Sequence, residues 1–126
     1  MKMVLVWAAV LGVGTVPVLA GAPHSEDTAS WYGEAHRGRL MANGRRFNPD
    51  RLTAASWFYP LGTKVRVTLN SAAAEPRSVV VTITDRGPAY ELVREGRTID
   101  LSHAAFRQLA PPDVGLVAVT TRPVRQ

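Results

Sequence analysis

The sequence contains no cysteine in its 126 residues, which excludes disulfides and thiolate metal sites together. Histidine is scarce as well. Of the three present, His36 and His103 stand at no spacing that would bring further ligands to a metal, so neither a metal nor a cofactor is expected. There is no internal repeat and no low-complexity tract, and the length is that of one domain. Lysine is nearly absent too, with only Lys2 and Lys64, so the formal charge of +5 rests on arginine. Those arginines are scattered among strands and loops and form neither a run nor a helical stripe. With the export signal described next, this argues against nucleic acid as a partner and for an anionic wall or membrane surface.

What is present begins with an address. Met1-Lys2 opens the chain with positive charge, residues 3–19 are apolar, and Val18-Leu19-Ala20 fits a signal-peptidase site cleaved after Ala20. The apolar run is short for a bilayer span and carries glycines and a proline, so a cleaved secretory signal is expected over residues 1–20 and an uncleaved anchor is the alternative. Leu19-Ala20-Gly21-Ala22 has the build of a lipoprotein box with alanine where the lipidated cysteine would stand, so no lipid anchor is expected. The mature chain is then expected in the periplasm or outside the cell, as a monomer, with a polar lead-in over residues 21–28 and a C-terminal tail over residues 122–126. Roughly 105 residues are left to fold without staples, which calls for a closed or nearly closed sheet.

Period-2 alternation of valine and threonine predicts strands over residues 29–32, 63–69, 78–84 and 114–121. The polar, alanine-rich stretch 70–77 reads as the turn of a hairpin, and Pro60-Leu61-Gly62 and Gly87-Pro88 read as further turns. One helix is predicted, over residues 103–109. Ser102 caps it, Ala105, Phe106 and Leu109 form its apolar stripe, and Pro111-Pro112 stops it. Short strands, one short helix and many turns describe an all-β domain over residues 29–121.

Three ordered stretches carry more than fold. Ala29-Ser30-Trp31-Tyr32-Gly33 is followed by Gly38-Arg39 and Ala42-Asn43-Gly44. Leu52-Thr53-Ala54-Ala55 leads to Pro60-Leu61-Gly62-Thr63-Lys64-Val65-Arg66-Val67. Asp85-Arg86-Gly87-Pro88 precedes Arg97-Thr98-Ile99-Asp100-Leu101-Ser102. In this order and spacing, over residues 29–110, they resemble the rare lipoprotein A family of septal-ring lytic transglycosylases. The resemblance implies a six-stranded double-psi β-barrel acting on peptidoglycan glycan strands, naked ones by preference. The reaction it implies is non-hydrolytic cleavage between N-acetylmuramic acid and N-acetylglucosamine, leaving 1,6-anhydro ends. Such chemistry needs an acid to protonate the glycosidic oxygen as an oxocarbenium-like centre develops. A base must then take the proton of the sugar's own C6 hydroxyl, and one carboxyl can serve in both steps.

By the resemblance, Asp85 is the expected general acid/base, and Tyr32, Asn43, Arg86, Trp57 and Tyr59 are the expected substrate-binding residues. For Asp85 the structural alternative is a turn cap paired with Arg86. Trp31 is either a core residue or a stacking surface, and the run Trp57-Phe58-Tyr59 is a sugar platform, simple packing, or a mixture. Asp100 reads as an acceptor beside the helix start, a structural role. Gly33, Gly44, Gly62 and Gly87 read as conformational. Two positions depart from the family's pattern. Arg45 stands where the family has glutamate after Asn-Gly, and Ser56 where it has histidine after Thr-Ala-Ala. Glu34 and Asp50 are the nearest carboxylates able to replace the missing one. The departures set a second expectation beside the enzyme, a barrel that binds wall glycan as expansins do without cutting it, and a third, a protein–protein module at the septum.

Overall fold

The computed structural model describes residues 27–125; the expected signal and most of the lead-in lie outside the described residues. Six strands close into a barrel: β1 (Asp27–Tyr32), β2 (Thr53–Ser56), β3 (Lys64–Leu69), β4 (Ser78–Asp85), β5 (Arg97–Ser102) and β6 (Val117–Pro123). Around the barrel the order is β1-β5-β2-β4-β3-β6. The expected hairpin is present as the antiparallel β3–β4 pair, in which Val65 faces Val81 and Val67 faces Val79. Two pairs are parallel, β1 with β5 and β2 with β4, and these crossed connections separate the fold from a simple meander. The chain is all-β, as expected.

Alternation explains the core. Val65 and Val67 of β3, Val79, Val81 and Ile83 of β4, Ile99 and Leu101 of β5, and Val119 of β6 all point inward and are buried. Closure leaves no free edge along the barrel wall, which suits a chain without crosslinks. One end is filled by α2 (His103–Arg107), whose Phe106, together with Leu109 just beyond the helix, is buried against the barrel. The Ser102 side chain caps this helix by accepting the Ala105 N–H at 3.2 Å. At α2 the sequence expectation and the structure agree in position and in mechanism.

Four expectations are corrected. A second short helix, α1 (Tyr90–Arg94), follows the Gly87-Pro88 turn; no side chain caps it, so the sequence carries no start signal for it. The last strand begins at Val117 and not at residue 114, because a 3-10 turn at Pro112–Val114 comes first. The central strands β2 and β5 were not legible as strands at all. Gly33 also differs from the expectation, since its φ is −138°. A Cβ there would lie 2.7 Å from Trp31 Cζ3, so lack of space and not a left-handed backbone calls for glycine.

Between β1 and β2 runs an arm, residues 33–52, laid across the outside of β4. It doubles back on itself, with Met41 N–H donating to Arg45 O at 2.8 Å and Phe47 N–H to Arg39 O at 2.8 Å. Gly44, at φ +86°, makes the left-handed turn at its tip. That tip is fixed to the end of β4 by Asn43 N–H to Thr84 O at 3.2 Å and Ala42 N–H to Asp85 Oδ1 at 2.9 Å.

Candidate active site

The site is built around Ala55. In the barrel Ala55 of β2 pairs with Asp85 of β4 on one side and with Asp100 of β5 on the other. Two carboxylates thus flank one small residue, with α-carbons about 10 Å apart across two strand spacings. Asp85, Ala55 and Asp100 line a single cleft of about 360 Å³, to which Tyr32, Phe47 and Arg86 also contribute.

Asp85 uses one oxygen to hold structure. Its Oδ1 accepts the Ala42 N–H and the Arg86 N–H, each at 2.9 Å, which fixes the tip of the arm and the turn after β4. Its Oδ2 has no donor among the described residues. The Arg86 guanidinium turns away from it, and Nη1 donates to Ser56 O and Tyr59 O, each at 2.7 Å. Arg86 therefore lines the cleft while clamping the loop that carries Trp57.

Asp100, to which the sequence reading gave a structural role, is the second carboxylate lining the cleft. It accepts a short hydrogen bond from the Ser30 hydroxyl and an ion pair from Arg97 at 3.6 Å, and Arg97 Nε also donates to Ser30 Oγ at 2.7 Å. Its assignment to the helix start is corrected, because Ser102 is the cap and Asp100 is a strand residue. Alternation held the signal: Ile99 and Leu101 face the core, so Asp100 between them must face outward. Glu34 and Asp50, the carboxylates considered as replacements for the family's glutamate, stand apart from Asp85 and Asp100. Both pair with Arg37 on the exposed arm, at 2.5 and 3.1 Å, and neither lines the cleft.

Tyr32 stacks on Phe47 with ring centroids 4.2 Å apart, and its hydroxyl is buried with no partner among the described residues. Burial first, then the charges of Asp85 and Asp100, push its ionisation well above the ordinary tyrosine range. Trp31 points the other way, donating from Nε1 to Pro112 O at 2.8 Å and packing on His103 and Phe106.

The remaining expected residues separate. Trp57 donates from Nε1 to Pro88 O at 2.6 Å and stacks on Tyr90 with centroids 4.7 Å apart, giving a half-exposed aromatic pair beside Pro88 and Ala89 of the cleft. Tyr90, on the unforeseen helix α1, was not identified from sequence. Tyr59 instead lines an enclosed apolar cavity with Ser56 and Phe58, its hydroxyl bonded to Thr121 Oγ1 at 2.8 Å. Asn43 lies on a neighbouring concavity, where its side-chain carbonyl accepts the Arg45 N–H at 2.9 Å. Arg45 lines that same concavity, and Ser56 is buried with its hydroxyl accepting the Phe58 N–H at 3.0 Å.

A closed six-stranded barrel with two parallel crossings and a carboxylate pair set across one strand defines a small wall-type double-psi barrel. The lytic transglycolase family matches residues 24–121, and the chain belongs to that family, the rare lipoprotein A group of double-psi β-barrels. Over 81 residues it is 49% identical to a probable endolytic peptidoglycan transglycosylase RlpA of Synechocystis, a match covering 64% of this chain and 23% of that protein. It is 41% identical over 93 residues to the endolytic peptidoglycan transglycosylase RlpA of Pseudomonas aeruginosa, covering 73% and 25%. This chain spans about a quarter of the length of these relatives. Among solved structures it resembles the Streptomyces papain inhibitor, with TM-score 0.60 and 27% identity over 79% of this chain and 93% of that one.

Proposed function

We propose that this barrel is an endolytic lytic transglycosylase that cleaves the linkage between N-acetylmuramic acid and N-acetylglucosamine in exported cell-wall glycan, naked strands by preference. The observation that carries the reading is the placement of Asp85 and Asp100 on either side of Ala55 in one cleft. Asp85, with Oδ2 open to a ligand, gives its proton to the glycosidic oxygen and then takes one from the C6 hydroxyl that closes the 1,6-anhydro ring. Asp100, oriented by Ser30 and Arg97, stabilises the positive charge that develops at the anomeric carbon. Tyr32 forms the cleft wall, and the Trp57–Tyr90 pair offers an aromatic face to a neighbouring sugar. Membership of a peptidoglycan-acting family supports both the substrate class and export to the wall.

The test is digestion of amidase-treated sacculi, with products read by mass spectrometry. Wild type releases 1,6-anhydro fragments, while Asp85→Asn and Asp100→Asn each fall by at least about a hundredfold, the usual scale for loss of acid–base or electrostatic assistance. Hydrolytic products, or full activity in both variants, would remove the proposal. A second reading, glycan binding without cleavage, is favoured by Arg45, which puts a guanidinium at the position where the family carries glutamate. It predicts sacculus binding with no anhydro products from wild type.

A further inference from the structure

On the outside of β4, under the arm, lies a second concavity of about 600 Å³. It shares only Phe47 with the Asp85 cleft. Its lining includes four arginines, Arg37, Arg45, Arg46 and Arg51, and three threonines, Thr53, Thr82 and Thr84. The charge is not balanced within the protein. Arg37 is matched by Glu34 and Asp50, and Arg46 donates to a neutral acceptor, Gly38 O, at 3.2 Å. Arg45 and Arg51 are exposed, and their side chains make no hydrogen bond or ion pair among the described residues. Set against those two acids, the four arginines leave two positive charges in excess.

The hydroxyls give an independent sign of a ligand. Thr84 is only 8% exposed, and among the described residues its Oγ1 has no hydrogen-bond partner; Thr53 Oγ1 is likewise buried and unpartnered there. Buried hydroxyls are normally satisfied, because leaving one bare costs its full desolvation. Open guanidinium groups beside unsatisfied hydroxyl donors match an oxyanion, which accepts from both. Thr84 directly precedes Asp85 in β4, so the concavity adjoins the cleft on the far side of Phe47.

We infer that this concavity is an oxyanion subsite that takes the free lactyl carboxylate of a muramic acid residue next to the one that reacts. The inference rests on the glycan reading above and deepens it. A lactyl group joined to a stem peptide is a neutral amide, whereas on a naked strand it is a carboxylate, so the subsite gives a physical basis for choosing naked strands. Phosphate carried by a wall polymer has the same chemistry, and the experiment separates the two sources.

The test compares a GlcNAc–MurNAc tetrasaccharide with its lactyl carboxamide twin, by calorimetry on the full mature chain in an Asp85→Asn background that prevents turnover. The carboxylate form is expected to bind about tenfold more tightly, with the advantage shrinking as salt rises. Arg45→Ala with Arg51→Ala abolishes the advantage yet binds the carboxamide twin as before, and Thr84→Val removes part of it. Equal binding of the twins, or a preference that survives both arginine substitutions, overturns the inference. If neither sugar binds, the glycan reading fails, and titration with inorganic phosphate followed by NMR decides the subsite alone. Saturable shifts at Thr84 and Arg45 that vanish in the double variant keep an oxyanion site with a phosphate-bearing ligand, and their absence overturns it.

Discussion

Replacing Arg86 with methionine keeps the aliphatic bulk and removes both donors of a clamp. In the native barrel one nitrogen, Nη1, holds Ser56 O and Tyr59 O, each at 2.7 Å. Charge-assisted bonds contribute about 1.5–3 kcal/mol each. Arg86 is partly exposed, so solvent screening brings the pair to about 2–3 kcal/mol. For a domain of this size that lowers Tm by about 10–20 °C, measurable by circular dichroism. The lost bonds tether the loop bearing Trp57, so the Trp57 indole N–H resonance should broaden or shift, while that of Trp31, anchored at Pro112 O, stays in place. Arg86→Lys recovers only part of the loss, because the lysine ammonium lies one bond short of the Nη1 position that reaches both carbonyls. A methionine variant within about 2 °C of wild type would refute the clamp and return Arg86 to a role in ligand contact alone.

Other perturbations follow from the same geometry. Ser102→Ala removes the α2 cap and the hydroxyl that donates to Arg51 O at 2.5 Å, and should cost about 2–3 kcal/mol in urea denaturation. Gly33→Ala drives a methyl into a Trp31 ring already held by Pro112, His103 and Phe106, and should cost about 1–3 kcal/mol in the same assay. Tyr32 holds its proton more tightly in the folded state than the ordinary value of about 10. Its contribution to stability is therefore complete below pH of about 10 and is lost as pH rises from there through the raised folded value. Tyr32→Phe should flatten the part of alkaline unfolding due to this residue and, by deleting an unpartnered buried hydroxyl, leave neutral-pH stability unchanged or improved.

The strands that alternate were legible because one of their faces is core. Val65, Val67, Val79 and Val81 announce both the strands and the hairpin. Two of the strands that build the site, β2 and β5, did not announce themselves. Thr53–Ser56 is short and alanine-rich, since Ala54 and Ala55 must let neighbouring strands and a ligand approach closely. Arg97–Ser102 carries Asp100 outward on a strand with a polar outer face, so its composition resembles a loop before a helix. Ordered motifs located Asp85 where local pattern alone would have shown only a turn. Parallel pairings are the least visible in sequence, because their partners lie far apart in the chain, as with Ser30 and Asp100. The unsatisfied hydroxyl of Thr84 follows from burial under the arm, which no local signal in the sequence records.

The account is tested most directly by titrating the isotope-labelled protein with a fragment of naked glycan and following amide and indole resonances by NMR. Saturable shifts should centre on Ala55, Asp85 and Asp100, with Tyr32 and the Trp57 indole N–H moving together with them. Shifts confined to the Tyr59 and Thr121 end of the barrel, with the carboxylate cleft unmoved, would contradict it.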